Sequence, residues 1–321
     1  MKIEKLEPAF KDYLWGGVKL REVYGKKCAY EKVAESWELS THPAGQSTIC
    51  GGEFDGMTLG EYLEKAGPAA LGANCGKFEQ FPVLIKFIDA KEPLSIQVHP
   101  SDAYALEAEG EYGKTEMWYV MDCEPGASLY FGVNREVSRE EFAQRIEDNT
   151  LLEVLNQVDV HPGDVFFIES GTIHAIGGGI LICEIQQNSN CTYRVYDYGR
   201  LGADGKPREL HVEKALAVSK LTPSDTRDKQ GEEEAVPGGW IKNLASCKYF
   251  TTRRCRVEGE VLLPLDGGSF ASLVVTEGKG SASCRENTVG FVPGDSLFVP
   301  ANAGEVRVKG TCTLVVTTVG A

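Results

Sequence analysis

The chain has no uninterrupted apolar stretch that reaches the roughly 20 residues of a membrane span. Its opening MKIEKLEPAF has neither an apolar core nor a small-residue cleavage site, so no secretory signal is expected and the compartment is read as the cytoplasm. No basic excess is present: 33 Lys and Arg stand against 47 Asp and Glu, a net charge of −14. That balance argues against nucleic-acid or membrane-surface partners, because polyanions are repelled at long range. An anionic small substrate would need a local cationic pocket. None of the ten cysteines forms a CxxC pair. They are read as reduced, mostly buried thiols rather than as disulfides or metal ligands. Histidine is scarce, at five residues, so each position can be weighed singly.

What is present is an ordinary globular composition, 42% hydrophobic and 25% charged over 321 residues. That length allows about two domains. Short runs rich in Val, Ile, Phe and Tyr recur between turn signals, as at 83–88 (VLIKFI), 116–121 (EMWYVM), 165–168 (VFFI), 180–185 (ILICEI) and 192–196 (TYRVY). They predict a mainly β chain, a sandwich or barrel. Three helices are predicted. They span 58–66, 138–155 with Ser138 as N-cap and Glu141 completing a capping box, and 211–219. Residues 222–239 (TPSDTRDKQGEEEAVPGG) are polar and rich in Pro and Gly. They read as a linker or exposed loop, which places a domain boundary at 238/239. PGDVFFIESGTIHAI at 162–176 is echoed by PGDSLFVPANAGEVR at 293–307. Aligned, Ile168 meets Val299 and His174 meets Glu305. A fold repeated twice, with histidine in one copy only, suggests one working site and one structural copy.

Two histidines have contexts suited to metal ligation. Strand alternation puts Ser95, Gln97 and His99 on one face. His174 follows the Pro-Gly-Asp turn at the start of the next strand. Glu116 opens an apolar strand, and Lys114 shares its face two residues earlier. Two histidines, a carboxylate and an amide oxygen suit a borderline divalent ion such as zinc. A strand histidine can equally be a hydrogen-bonded structural residue. His42 and His161 precede prolines in turn-like contexts, and His211 stands at a helix start where a surface or capping role is expected.

Several stretches together resemble the type I mannose-6-phosphate isomerases in their short bacterial form. They are YLWGG at 13–17, ESWELSTHP at 35–43, QVHP at 97–100, GKTEMWY at 113–119, PGDVFFIESGTIHAIGGG at 162–179 and CEIQQNSNCTYRVYDYGR at 183–200. The resemblance runs from about Phe10 to about Ser219. It implies two cupin (jelly-roll β-barrel) domains with a few inserted helices: a catalytic zinc-binding domain over 1–238 and a degenerate, metal-free domain over 239–321. It implies one zinc ion per chain, held by Gln97, His99, Glu116 and His174. It also implies interconversion of mannose 6-phosphate and fructose 6-phosphate, with an active-site arginine at Arg194, pocket lysines at Lys86 and Lys114, a serine at Ser95 and a carboxylate at Glu184. One loop departs from the family pattern: Asn190 stands where an acid is usual, and Cys191 where threonine is. Either the proton-transfer base lies elsewhere or the activity has shifted.

Aldose–ketose isomerisation needs a base to move a proton between C1 and C2, an electrophile for the enediolate oxygen, and a grip on the phosphate. Zinc supplies the electrophile, with Arg194 or Lys114 beside it. Glu184 is the leading base; its alternative role is to orient a ligand histidine. The phosphate falls to Lys86, Ser95 and Arg200. Lys86 lies inside an apolar strand, where it either reaches a partner or snorkels to the surface. Trp15, Trp37 and Trp118 wall the pocket or belong to the core. Other readings of the same pattern are an Fe(II) oxygenase, a non-catalytic sugar-binding module and an isomerase of free mannose. The expected partner is a small sugar phosphate, with a monomer and a dimer both open.

Overall fold

The computed structural model describes residues 1–201, 205–226 and 230–321. The chain is mainly β and divides into two compact units. One comprises Met1–Asp12, Val18–Phe87 and Lys229–Ala321, the other Tyr13–Gly17 and Ile88–Asp228. No described helix is long and apolar enough to cross a membrane.

The first unit contains a nine-stranded sheet. Its long strands Thr251–Leu262, Ala271–Ser283 and Arg307–Thr318 enclose an apolar core that includes Leu273, Val275, Leu297, Val308 and Leu314. Strand Glu4–Glu7 pairs antiparallel with Ser296–Val299, Glu4 opposite Phe298, and with Thr48–Ile49. The first residues of the chain therefore belong with its last, a grouping that differs from the linear division at 238/239. Helix Leu59–Ala66 forms as its sequence predicts, with Thr58 and Glu61 completing a capping box.

Part of the expected linker at 222–239 is not a linker. Residues 227–229 lie outside the described residues, but Glu233–Val236 is a strand paired with Gly239–Ser246. Val236 faces Gly239 across Pro237-Gly238. Proline presets φ for the first turn position and glycine takes positive φ at the second, so these residues close a hairpin here. Gly238 has φ 81°, and a Cβ there would meet the Glu260 carbonyl oxygen at 2.0 Å.

In the second unit a five-stranded sheet runs in the order Tyr193–Tyr196, Ile96–Val98, His174–Ala175, Ser128–Val133, Leu155–Asp159. Opposite it lie Val165–Ile168, Glu116–Cys123 and Ile180–Gln187. These are two open sheets packed face to face rather than one closed barrel. The Trp118 and His174 rings meet between them at 5.3 Å, and those of Phe131 and Phe166 at 6.1 Å. Alternation sends Ile96, Val98, Ile173 and Ala175 to a core with Phe142, Ile146 and Ala215 of two covering helices. It leaves Gln97 and His174 on the inner face.

Those helices are Arg139–Glu147, capped by Ser138, and Val212–Val218. The first is shorter than its pattern predicts. Asn149 adopts φ 57°, a left-handed conformation that asparagine tolerates, and ends the helix before a 3₁₀ turn at Leu151–Val154.

The two Pro-Gly-Asp turns are built alike. The Asp164 and Asp295 side chains accept from His161 and Val292 N–H at 2.7 and 2.8 Å. Gly163 and Gly294 donate to the Val120 and Val275 carbonyls, both at 2.8 Å. Ile168 faces Glu116 as Val299 faces Ala271, so an alanine in an apolar core stands where the other copy has its buried carboxylate. His174 is fully buried, whereas the Glu305 side chain is 72% exposed and pairs with Arg307. This geometry gives the repeat a common register.

Replacing Gly238 with alanine is expected to destabilise the protein by more than about 1 kcal/mol, because both φ and the space forbid a Cβ. A denaturant midpoint equal to that of the parent would refute the assigned turn.

Candidate metal centre

Glu116 opens its strand with no exposed surface, at a point facing the inner surface of the other sheet. His174 stands opposite Gln97 in the neighbouring strand, and His99 follows one residue beyond that strand's end. The result is a convergence of ligand atoms. His99 Nε2 and His174 Nε2 are 3.1 Å apart. Glu116 Oε2 is 3.5 Å from the former and Glu116 Oε1 3.4 Å from the latter. The ligand atoms of these three residues lie within 4.8 Å of one another, a set that could hold a metal ion.

Both imidazoles are set for ligation through Nε2. His99 Nδ1 lies 3.0 Å from the Cys191 carbonyl, and His174 Nδ1 lies 2.8 Å from the Thr172 carbonyl. A carbonyl accepts only from an N–H, so each contact places a proton on Nδ1, and in the neutral ring the Nε2 lone pair then faces inward. Burial pushes the His174 pKa down to about 4, which keeps the ring neutral as a ligand must be. The Gln97 amide lies 3.4 Å from His174 Nε2; rotation of the amide presents either its oxygen or its nitrogen.

The surrounding charges are buried as well. Lys114, 5% exposed, places Nζ 3.1 Å from Glu116 Oε2 and 3.9 Å from Glu184 Oε1. Glu184 accepts from Trp118 Nε1 at 3.0 Å, directly across the strand pair. Trp118 therefore belongs to the site, presenting its ring edge-on to His174 and its N–H to Glu184. Arg194 lies opposite Gln97 on the far side from His174, so Arg194, Gln97 and His174 form one row across three strands. Arg194 Nε donates to Ser95 Oγ at 3.3 Å. Burial lowers its pKa, with the neighbouring Arg208 charge adding to the effect. His211 caps nothing with its side chain; its Nδ1 instead accepts the Arg194 backbone N–H at 3.2 Å.

Lys86 belongs to the other compact unit. It does not snorkel: it is 3% exposed, 3.6 Å from Glu35 Oε2 and 4.9 Å over the Trp37 ring. Trp15 and Trp37 are buried.

The chain carrying this site is similar to known proteins over most of its length. The signature described as "Phosphomannose isomerase type I, catalytic domain" matches residues 3–121, and "Mannose-6-phosphate isomerase, cupin domain" matches 240–319. Mannose-6-phosphate isomerase ManA of Bacillus subtilis is 37% identical over 311 residues, 97% of this chain and 96% of the relative. The chain belongs to the type I phosphomannose isomerase family. A mannose-6-phosphate isomerase of Streptococcus mutans is 37% identical over 294 residues, 89% of each chain. The crystal structure of the mannose 6-phosphate isomerase from Bacillus subtilis superposes with a TM-score of 0.91 at 38% identity, over 99% of both chains.

In the loop before Arg194, Asn190 is exposed and Cys191 serves through its backbone carbonyl. The loop is anchored by Gln186, whose Nε2 donates to the Ser189 carbonyl at 2.6 Å, and by the Ser189 hydroxyl, which donates to Tyr112 O and accepts from Cys191 N. Sequence reasoning passed over Gln186. The available signal was its place in a fully buried strand, where an amide must find partners. It also passed over Asp197 and Arg208, which lie in a loop with no periodicity to mark them.

His174→Ala is expected to weaken divalent-metal affinity at least about tenfold in a chelator competition. Unchanged affinity would remove His174 from the ligand set.

Proposed function

We propose that this chain is a zinc-dependent aldose–ketose isomerase that interconverts mannose 6-phosphate and fructose 6-phosphate. The observation that carries the reading is the convergence of two buried imidazoles and a buried carboxylate. The ligand atoms of His99, Glu116 and His174 lie within 4.8 Å of one another, close enough for one ion to be held by all three. His174 Nε2 lies 3.1 Å from His99 Nε2, 3.4 Å from Glu116 Oε1 and 3.4 Å from the Gln97 amide, and His99 Nε2 lies 3.5 Å from Glu116 Oε2. Nitrogen and oxygen donors without thiolate fit zinc among the borderline ions. When bound, zinc supplies Lewis-acid polarisation of the sugar's carbonyl or neighbouring hydroxyl.

The chain's own residues supply the rest. Glu184, buried on the inner face and oriented by Trp118, carries the proton between C1 and C2. Lys114 lies beside both carboxylates, where its ammonium offsets negative charge developing on the enediolate. Arg194 adds a second cation, steadied by Ser95. Ser95 and Arg200 hold the substrate. The stretch 1–238 is read as carrying the catalytic site and 239–321 as its degenerate copy, where Ala271 replaces the carboxylate.

A coupled assay on metal-loaded protein is expected to show mannose 6-phosphate converted to fructose 6-phosphate. Absence of conversion in zinc-replete enzyme would defeat the proposal. Glu184→Gln is expected to retain metal and lose about 10²–10⁴-fold in kcat. A loss of metal with that variant would make Glu184 an orienting residue instead. Arg194→Ala is expected to keep metal and lower kcat/KM strongly, and an unchanged value would exclude it from the reaction.

A further inference from the structure

The second Pro-Gly-Asp copy has lost the ligands of the first, yet it keeps a cavity at the matching end of its sheet. Ala271 lies between Val299 and Thr318 there, as Glu116 lies between Ile168 and Gln186 in the other copy. Thr251 stands one strand further on, opposite Thr318. Both threonines and Arg253 line a cavity of about 230 Å³, and every residue that lines it belongs to the first compact unit.

Arg253 is unusual in its strand. It faces Val316, and two residues later Cys255 faces Leu314. Val316, Cys255 and Leu314 belong to the apolar core, so strand alternation turns Arg253 to that same inner face. It is half-buried, and its guanidinium makes no hydrogen bond or ion pair among the described residues. Neither Asp266 nor Ala321, which also line the cavity, pairs with it. The next residue behaves as a strand arginine ordinarily does: Arg254 takes the opposite face, where it stacks on the Trp240 ring at 4.7 Å and pairs with Glu233. A guanidinium drawn partly out of water without an acceptor costs stability. A ligand that brings the acceptor removes that cost.

The groups around Arg253 define what that ligand must offer. The Thr251 and Thr318 hydroxyls have no side-chain partner among the described residues. Asp266 Oδ1 accepts from the Gly268 N–H at 2.8 Å, which leaves Oδ2 as an open acceptor. A guanidinium fork matches the two oxygens of a carboxylate. A bare anion would meet Asp266 with nothing to donate to it, whereas a hydroxyl both donates and accepts. We propose that this cavity binds a small hydroxy acid, its carboxylate on Arg253 and its hydroxyls on Thr251, Thr318 and Asp266. The site uses no residue of the metal centre, so it stands or falls independently of the isomerase reading.

The test is calorimetric titration of glycerate into metal-loaded parent, Arg253→Gln, Arg253→Lys and Thr318→Val. The parent is expected to bind glycerate saturably. Arg253→Gln is expected to weaken binding about tenfold or more, and Arg253→Lys to recover part of the loss. Thr318→Val is expected to weaken it about two- to tenfold. Turnover without glycerate should be the same in all three variants as in the parent. Glycerate can also meet a bound metal ion, so His174→Ala is titrated as well. Binding in this cavity survives that change; binding lost with His174→Ala and kept in Arg253→Gln belongs to the metal centre and overturns the proposal. Propionate has the carboxylate without the hydroxyls, and glycerol the hydroxyls without the carboxylate. Either one binding as tightly as glycerate overturns the proposal, as does the absence of saturable glycerate binding by the parent. Should Arg253→Gln fail to fold, Arg253→Lys decides, since it keeps the charge and loses only the fork.

Discussion

The structure of the second unit turns on a buried carboxylate. Glu116 has no exposed surface and faces two imidazoles. Removing an ionised carboxylate from water costs several kcal/mol unless other charges compensate. Lys114 offsets part of that cost. Glu184 adds a second negative charge 3.9 Å from the same ammonium, so Glu116, Glu184 and Lys114 together carry −1 − 1 + 1 = −1. A divalent ion between the histidines would reverse that sign, which is the sense in which the pocket is made for a cation.

Two rings of interactions hold the ligand atoms on target. The inner ring is the pair of backbone carbonyls, of Cys191 and Thr172, that set both tautomers. The outer ring is the anchoring of those carbonyls. Gln186 and Ser189 pin the loop before Arg194, and the turn at Glu169–Thr172 is closed by a Thr172 N–H to Glu169 O bond. This division of labour makes little demand on the side chains at 190 and 191. The contact this loop makes to His99 is a main-chain contact, so it survives a change of side chain at either position.

The charge of the whole protein and the charge of the site have opposite signs. A net −14 is spread over exposed carboxylates such as those of Glu233 and Glu234, while Arg194, Arg200, Arg208 and Lys114 gather in one unit. At physiological salt, exposed charges beyond about 8 Å are largely screened. A small anion close to the cluster responds chiefly to its near neighbours, and a polyanion would meet the acidic remainder.

Much of this was legible in the sequence because it is periodic or local. Strand alternation alone put Gln97 and His99 on one face, and the capping box at Thr58 and the strands at 116 and 180 needed only nearest neighbours. The Pro-Gly-Asp echo was visible because the same turn demands the same residues twice. The positions that long-range pairing decides were not legible. The hairpin at Pro237-Gly238 reads as a linker until its partner strand is known. The membership of Glu4–Glu7 depends on Ser296–Val299, hundreds of residues away. The burial of Lys86 against Glu35, the hold of Trp118 on Glu184 and the grip of Arg208 on Asp197 join residues whose spacing carries no pattern. The sequence by itself determined which side chains face inward along each strand, because that follows from a period of two. Only the tertiary structure decided which of them meet, because that depends on how distant strands register against one another.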